Sequence, residues 1–209
     1  MQESTAISSA NLQRPQQLKA VPMTCIGMSA GGIEPLKTIF RGLRADTGMA
    51  FVVLHHLRNI PTMLPEILSR CTKMPVHLAT GGHILRPNHV YVLPSARELT
   101  LADSFLTLRV QSKPTGFSNV LTILLKSLTK SSHRSIAVIL SGVDADGAAA
   151  LKEFRQRGGI VIAQQPDTAE RPGMPVAAIQ TGVVDYVLPP EAIPGHLEEI
   201  AREFSAFSV

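Results

Sequence analysis

Short apolar runs of strand character alternate with amphipathic helical patterns through most of this chain. The runs at 23–28, 50–55, 136–140 and 159–163 are followed by helical patterns at 33–43, 61–70, 147–157 and 175–180. Runs apolar at consecutive rather than alternate positions belong to strands covered on both faces. Such cover comes from parallel strands joined by right-handed helical crossovers. The alternation therefore predicts an α/β fold, a doubly wound, mainly parallel sheet with helices on both faces.

Between the two halves the period changes. Strand-like pieces at 76–78, 90–93, 98–102 and 105–110 follow one another with no helix between them, and Ala102-Asp103-Ser104 reads as a hairpin turn. The expectation there is an antiparallel hairpin extension of the sheet. Pro114 and Gly116 then break the chain before an amphipathic stretch at 120–129, and a helix at 191–204 closes it. Residues 1–20, rich in Gln, Ser and Ala, read as a flexible N-terminal tail, leaving 21–209 as one domain.

Composition narrows the function classes. With 44% hydrophobic and 17% charged residues the chain can build a core. No apolar run reaches the ~18–20 residues that span a bilayer, and no secretory signal opens the chain, so a cytoplasmic protein without membrane insertion is expected. The net charge of +4 comes without a Lys/Arg block or a basic stripe interleaved with aromatics, which argues against nucleic acid as partner. Cys25 and Cys71 are too few for a disulfide framework or a four-ligand zinc site; no metal and no cofactor is expected.

Three strand ends carry chemistry-bearing residues. The first strand runs into Gly27-Met28-Ser29-Ala30-Gly31-Gly32 and directly into a helix. Glycines at such a turn permit positive φ, and the helix directs its free N–H groups and positive dipole end at the space above Ser29. This turn alone leaves open a nucleophile, a nucleotide-binding loop or a plain structural turn, because G-x-S-x-G is a weak motif and G-x-G-x-x-G is absent. The second strand ends in His55-His56, and neighbouring residues of a strand face opposite sides. The run at 136–140 leads into Ser141-Gly142-Val143-Asp144-Ala145-Asp146-Gly147, where either aspartate fits an N-cap as well as a catalytic role. A serine, a histidine and an aspartate at one sheet edge are nonetheless what acyl transfer needs: nucleophile, general base and orienting carboxylate. Their chain order, Ser then His then Asp, differs from the Ser, Asp, His order of α/β-hydrolases.

Together the blocks Ile26-Gly27-Met28-Ser29-Ala30-Gly31-Gly32, Val52-Val53-Leu54-His55-His56-Leu57 and Val138-Ile139-Leu140-Ser141-Gly142-Val143-Asp144-Ala145-Asp146-Gly147-Ala148 resemble the catalytic domain of the CheB family, the protein-glutamate methylesterases of bacterial chemotaxis. His89-Val90-Tyr91-Val92-Leu93-Pro94, Ile162-Ala163-Gln164 and Gly173-Met174-Pro175 add to the likeness, which runs from about residue 21 to about residue 204. The resemblance implies Ser29 as nucleophile, His56 as base and Asp146 as orienting carboxylate. It implies hydrolysis of glutamate methyl esters, and deamidation of glutamines, on the cytoplasmic helices of a methyl-accepting chemoreceptor or a similar methylated signalling protein. An inactive relative that only binds such a partner is the rival expectation. Two positions depart from the family pattern: Asp144 stands where a small residue is usual, and Thr122 stands where the family commonly has an aspartate, which bears on substrate contacts. The family's full-length members carry a receiver domain, for which residues 1–20 are too short. The expectation is a constitutively open site, with control in trans by a separate regulator as the other arrangement.

Overall fold

The computed structural model describes residues 20–55, 62–102, 105–111 and 119–206. Its main sheet has seven strands in the order β10-β9-β8-β1-β2-β5-β3. They are β1 (Met23–Met28), β2 (Ala50–His55), β3 (Val76–Leu78), β5 (Val90–Val92), β8 (Ser135–Ile139), β9 (Ile160–Gln164) and β10 (Tyr186–Leu188). Every pairing within this sheet is parallel. Helices α1 (Ile33–Gly42), α2 (Leu64–Ser69) and α6 (Ile193–Ala206) contribute to a core on one face. The opposite face is covered by α3 (Val120–Leu128), α4 (Ala148–Gln156) and α5 (Gly173–Gln180).

The division between faces follows the strand period of two. In β2, Ala50, Val52 and Leu54 join the α3 side, while Phe51 and Val53 join the α1 side. All of these are fully buried, which explains why the sequence reads as continuous apolar runs. The doubly wound parallel sheet is thus present with helices on both faces, as the alternation predicts.

The middle of the chain differs in detail. The hairpin of β6 (Arg97–Ala102) and β7 (Phe105–Val110) is antiparallel, with Ala102 opposite Phe105. It pairs with β4 (His83–Ile84) as a separate sheet rather than extending the large one. β3 and β5, expected in that antiparallel extension, instead join the main sheet in parallel. The physical reason is burial: β5 is buried at every position and needs neighbours on both sides, whereas β6 buries only alternate residues and needs cover on one face. That cover is α3, against which Leu99, Leu101 and Leu106 pack. Residues 1–19 of the expected 1–20 tail, the turn residues Asp103 and Ser104, and the breakers Pro114 and Gly116 lie outside the described residues.

The sheet winds outward in both directions from β1. The chain passes from β1 to β2 on one side, and later places β8 against the other side of β1. Between β1 and β8 the strand order reverses, and crevices at such a reversal, outside the carboxyl ends of the strands, are where open α/β sheets bind ligands.

Candidate active site

Ser29 is the first residue beyond β1, half-buried at that carboxyl edge. Its N–H donates to the Ser141 carbonyl (2.9 Å) and its carbonyl accepts from the Gly32 N–H (3.1 Å), so the turn is tied both to the end of β8 and to itself. Gly31 has φ +76°, and a Cβ there would stand 2.6 Å from Ser141 Oγ. Glycine is required on both counts. Gly32 is the N-cap of α1 without a side-chain cap, so the first turn of this helix directs N–H groups that have no side-chain cap toward the end at Ser29.

Asp146 is buried, 4% exposed, in the loop after β8. It does not cap the helix it precedes: Gly147 is the N-cap of α4 and no side chain caps that helix. Its carboxylate instead meets the start of the neighbouring helix. The N–H groups of Leu121 and Thr122 donate to Oδ2 (2.8 Å) and Oδ1 (2.9 Å), and the Thr122 hydroxyl donates to Oδ1 (2.8 Å). Thr122 Oγ1 in turn accepts from the Gly147 N–H (2.8 Å). The residue expected to bear on substrate contacts therefore acts directly on the candidate catalytic carboxylate. Asp144 has a local part, accepting the Asp146 N–H at Oδ1 (2.9 Å) and so shaping the loop.

Ser29 and Asp146 share one region of the sheet edge. The glycines that flank them, Gly27 and Gly147, both pack so closely on Leu121 that a Cβ at either would collide with its side chain. Ser29 Cβ lies against Gly142, where an added Cβ would come within 3.0 Å of it. The third expected residue, His56, lies outside the described residues. Its neighbour His55 ends β2 and is buried. It shares a cavity of about 470 Å³ with Ser29, Ile33, Glu34, Leu64 and Glu170. Lys37 donates to the Glu34 carboxylate (2.7 Å) and holds its carboxyl below the usual carboxylate range.

Two buried polar residues join the loops around Ser29 and carry no role in the sequence reading beyond their place in matched motifs. Ser141 is fully buried, and its hydroxyl donates to the Ala30 carbonyl (2.9 Å) and accepts from the Arg171 N–H (3.0 Å). Gln164, 1% exposed at the end of β9, accepts the Ser141 N–H at Oε1 (2.9 Å) and donates from Nε2 to the Thr168 carbonyl (3.0 Å). A polar residue at the carboxyl end of an otherwise apolar run was the available signal for each. Among the described residues no group of His, Cys, Asp and Glu could hold a metal ion, and no helix is long and apolar enough to cross a membrane.

The Geobacter metallireducens protein-glutamate methylesterase/protein-glutamine glutaminase 4 is 32% identical over 193 residues, covering 90% of this chain and 55% of that protein. A Geobacillus kaustophilus protein-glutamate methylesterase/protein-glutamine glutaminase is 31% identical over 197 residues, with 91% and 55% covered. The chain thus spans about half the length of the curated relatives it matches. The solved catalytic domain of Thermotoga maritima CheB methylesterase aligns with a TM-score of 0.77 at 28% identity, covering 87% of this chain and 99% of that domain. Residues 24–197 match the family described as CheB methylesterase, and the chain belongs to that family.

Proposed function

We propose that this chain is a serine esterase that removes methyl groups from glutamate methyl esters, and amide groups from glutamines, on the cytoplasmic helices of a chemoreceptor or similar signalling protein. The observation that carries the reading is the pairing at one sheet edge of a half-buried serine in a glycine turn with a buried, firmly held carboxylate. The relatives' names supply the substrate class.

In this reading Ser29 Oγ attacks the ester carbonyl while His56 takes its proton. The tetrahedral intermediate places its negative charge near the backbone N–H groups of Ala30 and Val143, which make no backbone hydrogen bond among the described residues. Collapse breaks the C–OMe bond, His56 returns the proton, and methanol leaves; ammonia leaves in the same way from an amide. Water then attacks the acyl-serine with His56 as base, restoring Ser29 and releasing the glutamate carboxylate. Asp146 selects the imidazole tautomer and stabilises the imidazolium. His55 faces the α1 and α2 side, with Ile33 and Leu64, while Asp146 sits at the start of α3. That separation favours His56 over His55 as base. Ile33, 42% exposed, and Leu64 give the cavity apolar walls that suit a methyl ester better than a free carboxylate.

Methanol release from methylated receptor, together with fluorophosphonate labelling, tests the assignment. Wild type is expected to be labelled at Ser29 and to release methanol, and Ser29→Ala to do neither while unfolding as cooperatively as wild type. Activity of Ser29→Ala within about tenfold of wild type would overturn the nucleophile, and absent labelling of wild type would favour a binding module without catalysis.

A further inference from the structure

The nucleophile turn lies beyond the end of β1 and contains a residue at positive φ, Gly31. Among the described residues, Ser141 ties it down at two peptides. The Ser141 carbonyl accepts the Ser29 N–H (2.9 Å), and its hydroxyl donates to the Ala30 carbonyl one peptide further on (2.9 Å). The same hydroxyl accepts the Arg171 N–H (3.0 Å) and stands 3.3 Å from the Arg171 carbonyl. That carbonyl accepts the Gly142 N–H (2.8 Å), and the Gly142 carbonyl accepts the Met174 N–H (2.9 Å). Ser141 itself is anchored by the Gln164 side chain.

We infer that Ser141 is a positioning residue for Ser29, its buried hydroxyl pinning the nucleophile turn to the 165–172 segment so that Ser29 keeps its attacking geometry. The inference rests on the serine esterase reading for its effect on turnover, but its effect on the turn is independent of it. A peptide unit is planar, so fixing the Ala30 carbonyl also fixes the direction of the Gly31 N–H. The hydroxyl has one proton and donates it to Ala30, so without it the Ala30 carbonyl and the Arg171 N–H lose partners at once. A nucleophile displaced by about 1 Å can lose about a hundredfold in rate.

The test compares Ser141→Ala and Ser141→Thr with wild type by amide hydrogen exchange and by methanol-release kinetics. In Ser141→Ala the amides of Ser29, Gly32 and Arg171 are expected to exchange at least about tenfold faster while those of α4 are unchanged. Its kcat is expected to fall at least about tenfold with KM within about twofold, and Ser141→Thr, which keeps the hydroxyl, to recover kcat to within about threefold of wild type. Unchanged exchange in the turn, an unmoved kcat in an active enzyme, or a Thr variant no better than Ala overturns the inference. If wild type releases no methanol, the esterase reading fails, and the exchange rates alone decide whether Ser141 pins the turn. Should the Ala variant not fold, Ser141→Cys, of similar size with a weaker donor, is read by the same two measurements and the same criteria.

Discussion

Because the Asp146 carboxylate accepts hydrogen bonds from Leu121 and Thr122 at the start of α3, substitution there is expected to act on stability as well as on turnover. An asparagine would turn a nitrogen toward groups that are themselves donors. Asp146→Asn is expected to lower turnover by about a hundredfold or more and, by denaturant unfolding, to lower stability by about 1–3 kcal/mol. Asp144→Asn, which keeps an oxygen able to accept the Asp146 N–H, should cost less on both counts; the reverse order would reassign the carboxylate. The histidines part in the same manner. His56→Ala should be as inactive as the serine variant, whereas His55→Ala, on the α1 and α2 side, should keep kcat within about tenfold. An essential His55, read from the same kinetics, would move the base to the other face of β2.

At the scale of elements, the site depends on a helix start and a loop that complete each other. The first turn of α3 has no acidic residue and no side-chain cap of its own, so its N–H groups are satisfied from the loop after β8. That loop in turn needs Gly147 at φ +93°, where a Cβ would lie 2.6 Å from Leu121. Gly147→Ala should therefore lower stability by about 1–2 kcal/mol from the left-handed backbone alone, and by more from the collision with Leu121. The shift in denaturant midpoint measures it, and a variant as stable as wild type would mean the loop can relax without loss. The N-cap preference of aspartate was legible in the sequence, but it pointed to α4, the next helix along the chain. The helix that Asp146 serves precedes it by some 25 positions, a partnership that only close packing of α3 on α4 produces.

For the whole molecule, the deepest layer is the pair of apolar faces on either side of β1. Cys25 lies at its centre with no exposure, and burial pushes its thiol far above the ordinary cysteine range. Cys71, beside the end of α2, is only half-buried. A thiol reagent in excess should label Cys71 first and reach Cys25 only through global unfolding, so Cys25 labelling should follow the unfolding equilibrium measured by denaturant. Labelling of Cys25 at the rate of Cys71 would show that the sheet opens locally at β1.

The alternation of apolar runs with helical patterns pointed to a doubly wound parallel sheet, because strands joined by helical crossovers run parallel and are covered on both faces. The turns after the first strand and before α4 were legible for the same local reason, glycine beside a helix start. The family likeness, carried by motifs at separate strand ends, gave Ser29 and Asp146 their candidate roles. Tertiary structure decided what depends on distant partners: that β3 and β5 lie in the main sheet while β6 and β7 leave it, and that the short exposed edge strand β10 forms at all. It also decided that Thr122 bonds Asp146 and that the Ser141 hydroxyl bridges Ala30 and Arg171. Such partnerships join residues far apart in the chain, and hydrogen bonds of that kind follow from where packed elements bring polar groups together, which no local pattern of residue types encodes.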